Sequence, residues 1–129
     1  KGMAKVLIVD DAVFMRQMLA KILKDEGIEV CGEAANAFEA VEKYKLLKPD
    51  LVTMDIVMPM METLDGIGAV KEIMDFDPKA NFLIVSVMGQ ESLITKAMEA
   101  GAKDFIFKPF KPERVIQAVR DVLKNSEGR

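Results

Sequence analysis

Val6-Leu7-Ile8-Val9-Asp10-Asp11 is the stretch that decides the fold. Four apolar residues in a row, most of them β-branched, read as a strand buried on both faces, and two acids end it abruptly. A strand buried on both faces needs helices above and below it, so the pattern predicts an α/β chain with crossover connections.

Working outward, the rest of the chain alternates accordingly. From Ala12 to Glu26 the apolar residues Val13, Phe14, Leu19, Ile22 and Leu23 recur near helical spacing, and Gly27 is placed as the stop. Ile28 to Ala34 reads as a weaker second strand. Asn36 with Glu39 three residues on has the form of a capping box, opening a helix that runs to about Leu47 before Pro49. Leu51 to Met54 is a third strand closing on Asp55, and a loop then leads to Asp65-Gly66 and a helix ending near Phe76. Phe82 to Val85 is a fourth strand. Glu91 to Ala100 is a helix halted by Gly101, and Asp104 to Phe107 is a fifth strand closing on Lys108-Pro109. The last helix starts near Pro112 and carries one apolar stripe of Val115, Ile116, Val119, Val122 and Leu123. Five strands alternating with five helices over short loops predict a doubly wound, five-stranded parallel sheet in one domain, residues 3–125. Lys1-Gly2 reads as a remnant ahead of Met3, and residues 126–129 as a frayed tail.

Composition narrows the chemistry. The chain has 129 residues, half of them apolar, with a formal net charge of -3. Acidic balance argues against nucleic-acid binding by this domain. No apolar run reaches the length of a membrane span, and the start lacks a signal-peptide core, which points to a cytoplasmic protein. One cysteine, Cys31, and no histidine exclude an internal disulfide, a zinc cluster and any histidine-based triad. The ten methionines read mainly as core filler.

Ligands of open parallel sheets bind beyond the carboxyl ends of the strands. There the first strand delivers Asp10 and Asp11, the third Asp55, the fourth Ser86 and the fifth Lys108, whereas the second delivers only Ala34 and Ala35. Each alone is unremarkable: an Asp pair after a strand is often a helix cap, and Lys-Pro a turn. Together they are compatible groups from four strands at one edge. Three carboxylates so gathered repel one another unless a cation intervenes, and oxygen-only ligands at a watery rim suit Mg²⁺. Lys108 and Ser86 are suited to phosphoryl oxygens, and Asp55, alone at its strand end, is the candidate nucleophile.

Val6 to Asp11 (VLIVDD), Val52 to Pro59 (VTMDIVMP), Asp65-Gly66 and Asp104 to Phe110 (DFIFKPF) resemble the receiver domain of two-component response regulators over nearly the whole chain. Ala12 to Arg16 and Met88-Gly89-Gln90 are similar to the stand-alone chemotaxis members of that family. The resemblance implies a flavodoxin-like (βα)5 fold with strand order 2-1-3-4-5. It makes Asp55 the acceptor of a phosphoryl group from a CheA-like sensor histidine kinase. It gives Mg²⁺ to Asp10, Asp55 and the backbone carbonyl of Val57, with Asp11 acting through water, and puts Ser86 and Lys108 on the phosphoryl group. It makes Lys108-Pro109 a cis peptide and Phe105 the switch aromatic, which turns inward as Ser86 moves and remodels the surface of the fourth helix, fifth strand and fifth helix. A flagellar motor switch protein or a phosphatase is the implied downstream partner, and the chain is expected to be a monomer.

Three positions depart from the family pattern. Met60 to Leu64 intervene between Pro59 and Asp65, an apparent three-residue insertion. Val87 is bulkier than the Ala or Gly usual after the hydroxyl residue, and Phe105 lacks the hydroxyl of the usual Tyr. Four alternatives follow: a receiver that works without phosphorylation, a receiver cut from a longer transcriptional regulator, a haloacid-dehalogenase-type phosphatase and a flavodoxin-like cofactor binder. The phosphatase would need a second Asp where Val57 stands. For the cofactor binder, Asp10-Asp11 would repel the phosphate.

Overall fold

The apolar runs become the strands β1 (Lys5–Val9), β2 (Glu29–Ala34), β3 (Leu51–Met54), β4 (Phe82–Val87) and β5 (Asp104–Lys108). All pair in parallel in the order β2-β1-β3-β4-β5. This is a computed structural model, and it describes residues 3–58 and 64–127. Between the strands lie α1 (Val13–Asp25), α2 (Ala37–Leu47), α3 (Gly66–Phe76), α4 (Glu91–Glu99) and α5 (Pro112–Glu127).

Successive residues of a strand point to opposite faces, so each strand feeds two cores. Leu7, Val9, Val52, Met54, Phe82 and Ile84 pack with α2, α3 and α4. Val6, Ile8, Leu51, Leu83, Val85 and Ile106 pack with α1 and α5. The residues Val6 to Val9 are at most 1% exposed, as a strand covered on both sides must be.

Local chemistry fixes the helix ends. Asn36 Oδ1 accepts from Glu39 N at 2.8 Å, while the Glu39 carboxylate accepts from Ala35 N at 2.9 Å, one residue earlier than a strict capping box. Gly27 at φ +76° ends α1 in a Schellman motif, with Gly27 N donating to Lys24 O and Ile28 N to Leu23 O. Asp65 caps α3 by accepting from Gly68 N at 2.7 Å. Gly66 lets that helix start close beneath β3, since a Cβ there would lie 2.9 Å from Ile56 Cα.

Three expectations change. On α1 the buried stripe is Leu19, Ala20 and Leu23, and Val13 and Phe14 are 56% and 69% exposed, since the helix turns them toward solvent at the sheet's carboxyl end. β4 continues two residues further than the apolar run, because Ser86 pairs with Phe107 and Val87 with Lys108. α5 extends to Glu127, with Ser126 Oγ accepting from Asn81 Nδ2 at 3.2 Å. The methionines serve mainly as core filler, as expected: Met54 and Met58 are buried and Met15, Met74 and Met98 pack against the two cores, whereas Met3 and Met88 are exposed. The residues Lys1-Gly2, Pro59 to Thr63 and Gly128-Arg129 lie outside the described residues. Leu64, the last of the extra loop residues, packs against the α2–α4 core.

Candidate functional site

Because β1 and β3 are hydrogen-bonded neighbours, their terminal acids meet. Asp55 N donates to Val9 O and Asp10 N to Ala34 O, both at 3.0 Å, which fixes the ends of three strands against one another. Asp10 is 1% exposed and Asp55 5%, while Asp11 turns outward. One carboxylate oxygen from each of Asp10, Asp11 and Asp55 lies within 4.8 Å of the others, close enough to share one ion.

Asp10 does not serve as the helix cap. Ala12 holds the N-cap position without a side-chain bond, and Asp10 Oδ1 accepts from Ala12 N at 2.9 Å in a tight turn. Asp55 Oδ1 accepts from Val57 N at 2.9 Å in the same manner. Each carboxylate keeps its second oxygen for Lys108, whose Nζ stands 2.9 Å from Asp10 Oδ2 and 3.3 Å from Asp55 Oδ2. Lys108 reaches them from the end of β5 beside a cis Lys108–Pro109 peptide.

The charges do not balance. Lys108 supplies one positive charge against three carboxylates. Burial pushes the Asp55 carboxyl above its ordinary value, outweighing the Val57 N–H and the Lys108 ammonium, and Asp10 adds to the rise. Burial also pulls Lys108 down, but the hydrogen bond to Asp10 and the charges of Asp55 and Asp10 leave it above the usual lysine value. Ser86 is 1% exposed, and its Oγ has no hydrogen-bond partner among the described residues. A buried hydroxyl without a partner is costly in a native fold; Thr53 Oγ1 inside β3 is in the same position, and of the two Ser86 is the one near the carboxyl end of its strand.

Phe105 is half-buried, packed edge-on to Phe107 with ring centroids 5.5 Å apart. The two rings line a groove of about 450 Å³ with Ile94, Thr95 and Met98 of α4. Val57, Val87 and Met88 are exposed at 45%, 42% and 72%. Arg16 was no site candidate from sequence, yet its Nη1 donates to Asp10 O at 2.7 Å. No signal in the sequence singled it out, because an arginine at the fourth position of a helix is an ordinary helix former.

Residues 6–120 match the family model of the response regulator receiver domain. The chain is 58% identical over 120 residues to the chemotaxis protein CheY of Thermotoga maritima, covering 93% of this chain and 98% of that one. It is 54% identical over 119 residues to that of Bacillus subtilis, covering 92% and 97%. Among solved structures, the CheX-CheY-BeF3-Mg²⁺ complex of Borrelia burgdorferi superposes with a TM-score of 0.85 at 41% identity, covering 92% of this chain and 88% of that one. NtrX of Brucella abortus superposes with a TM-score of 0.91 at 35% identity, covering 97% of this chain but 28% of that chain. These matches decide against the phosphatase and the flavodoxin-like cofactor binder. No helix among the described residues is long and apolar enough to cross a membrane. The chain belongs to the response regulator receiver family and is a two-component response regulator of the CheY type, a signalling protein.

Proposed function

We propose that Asp55 accepts a phosphoryl group from the phosphohistidine of a CheA-like sensor kinase, in a cation-dependent step, and that this switches the α4–β5–α5 surface in chemotaxis. The observation that carries the reading is the meeting of three carboxylates with a single lysine at one end of the sheet. The donor set fits a hard divalent cation: carboxylate oxygens two of which are nearly dry, no soft ligand in the cluster, and an uncompensated negative charge. Asp10, Asp55 and the Val57 carbonyl would hold Mg²⁺, with Asp11 acting through water. When bound, it supplies the positive charge that lets phosphoryl oxygens approach the acids.

In the reaction a carboxylate oxygen of Asp55 forms a bond to phosphorus as the N–P bond of the donor breaks. The imidazole leaves with that electron pair and takes up a proton. Lys108 neutralises charge on the phosphoryl oxygens, and Ser86, whose hydroxyl lacks a partner, turns its donor toward them. The drawn-in Ser86 leaves space beside β5, and Phe105 turns inward, reshaping the groove it shares with Phe107 and α4. A flagellar switch protein or a phosphatase would read the reshaped surface. The solved Borrelia burgdorferi relative, held with CheX, BeF3 and Mg²⁺, supports this reading by likeness. We read the protein as a cytoplasmic monomer that assists its own phosphorylation and dephosphorylation.

Beryllofluoride, which mimics a phosphoryl group, provides the test. With Mg²⁺ it should give a bound fluorine-19 resonance in the wild type and none in Asp55→Asn. The same bound resonance in Asp55→Asn would refute the assignment, and none in the wild type would favour a receiver that works without phosphorylation.

A further inference from the structure

We infer that Arg16 is a positioning residue for the cation site, fixing the backbone of Asp10 and through it the Asp10 carboxylate. This rests on the reading of Asp10 as a cation ligand. The sheet ladder runs out at this point: Val9 O is taken by Asp55 N, and Asp10 N is taken by Ala34 O. The carbonyl of Asp10 is the next group along, and Asp10 is 1% exposed, so water cannot serve it freely. Arg16 Nη1 fills the gap from α1 at 2.7 Å.

The guanidinium is itself oriented. Its Nε donates to Glu33 Oε1 of β2 at 2.9 Å, and the Arg16 side chain is 14% exposed. Two bonds from one rigid plane fix both its position and its tilt, which a lysine cannot do. α1, β2 and the end of β1 are thereby tied at the Asp10 carbonyl. The side chain of Asp10 is held from the same turn, by Ala12 N at 2.9 Å. Loosening the carbonyl therefore loosens the carboxylate.

Charge and position make opposite demands on this residue. A positive group beside Asp10 repels a second cation, so if charge alone mattered, removing it would tighten Mg²⁺ binding. If positioning dominates, removing it weakens binding, as loss of an orienting partner behind a metal ligand does.

The test is Mg²⁺ affinity by titration calorimetry on the full chain, with amide exchange measured without metal. Arg16→Met should weaken Mg²⁺ binding roughly tenfold and speed exchange at the Ala12 amide, leaving Leu7 and Ile8 protected as before. Arg16→Lys keeps the charge but loses the fork and should also bind Mg²⁺ more weakly than wild type, which keeps the test open if Arg16→Met does not fold. Unchanged or tighter Mg²⁺ binding in the variants, beside a wild type that binds Mg²⁺, would overturn the inference alone. A wild type that binds no Mg²⁺ would remove the underlying reading as well.

Discussion

The two ends of the sheet are built from similar residues but finished differently. At the amino end Asp50 accepts from Lys5 N at 2.8 Å through its carboxylate. Buried Asn81 donates to both Asp50 O at 3.0 Å and Ser126 Oγ at 3.2 Å. Those polar groups complete one another. At the carboxyl end, Asp10, Asp11 and Asp55 crowd one lysine, and Ser86 Oγ has no partner among the described residues. The amino end pairs its polar groups with one another, and the carboxyl end leaves an excess of acids over lysine and a hydroxyl with no partner among the described residues.

The largest effect that should separate the ends is removal of Lys108. Lys108→Ala strands two nearly dry carboxylates and should cost about 3–5 kcal/mol in Mg²⁺-free urea unfolding. Added Mg²⁺ should recover much of that loss, because a cation replaces the missing charge. At the other end, Asn81→Ala should cost about 1–3 kcal/mol, and Mg²⁺ should recover none of it. Equal response to Mg²⁺ at both ends would erase the distinction.

A pH series sharpens it. Burial raises the Asp55 pKa, so the folded protein holds that proton more tightly than the unfolded chain. Stability should therefore fall as pH rises from the ordinary carboxylate range through the raised value. Asp55→Asn should be more stable than wild type at neutral pH, and the gap should close in acid, read as urea midpoints. Lys108 works at the alkaline limit: its raised pKa stabilises the fold below the ordinary lysine range, and that support is lost as pH rises through the folded value. The smallest effect belongs to Asp11, which is exposed. Asp11→Asn should stabilise the Mg²⁺-free protein by a few tenths, about 0.3–0.5 kcal/mol, and weaken Mg²⁺ binding in calorimetry.

Much of this was legible in the residues. Val6 to Val9 and Leu51 to Met54 announce strands because they are runs of mostly apolar residues, and Gly27, Pro49 and Gly101 mark the ends of the helices α1, α2 and α4. Asp10, Asp55 and Lys108 could be brought to one edge because parallel topology puts every strand's carboxyl end on the same side. What was hidden depends on side chains crossing between elements. Arg16 reads as a helix residue until its reach to Asp10 and Glu33 is seen. Val13 and Phe14 fit a helical stripe, and only the direction in which α1 leaves the sheet turns them outward. Ser86 reads as the residue after a strand, but pairing with Phe107 keeps it inside β4.

Asp55 should become an acyl phosphate when a phosphoryl donor and a divalent cation are both present. Incubation with acetyl phosphate and Mg²⁺, followed by peptide mapping in a mass spectrometer, tests it most directly. One phosphoryl group on the peptide that carries Asp55, lost when Mg²⁺ is chelated and missing in Asp55→Asn, is the predicted result. A phosphoryl group elsewhere in the chain, or an equal yield from the Asp55→Asn protein, would contradict it.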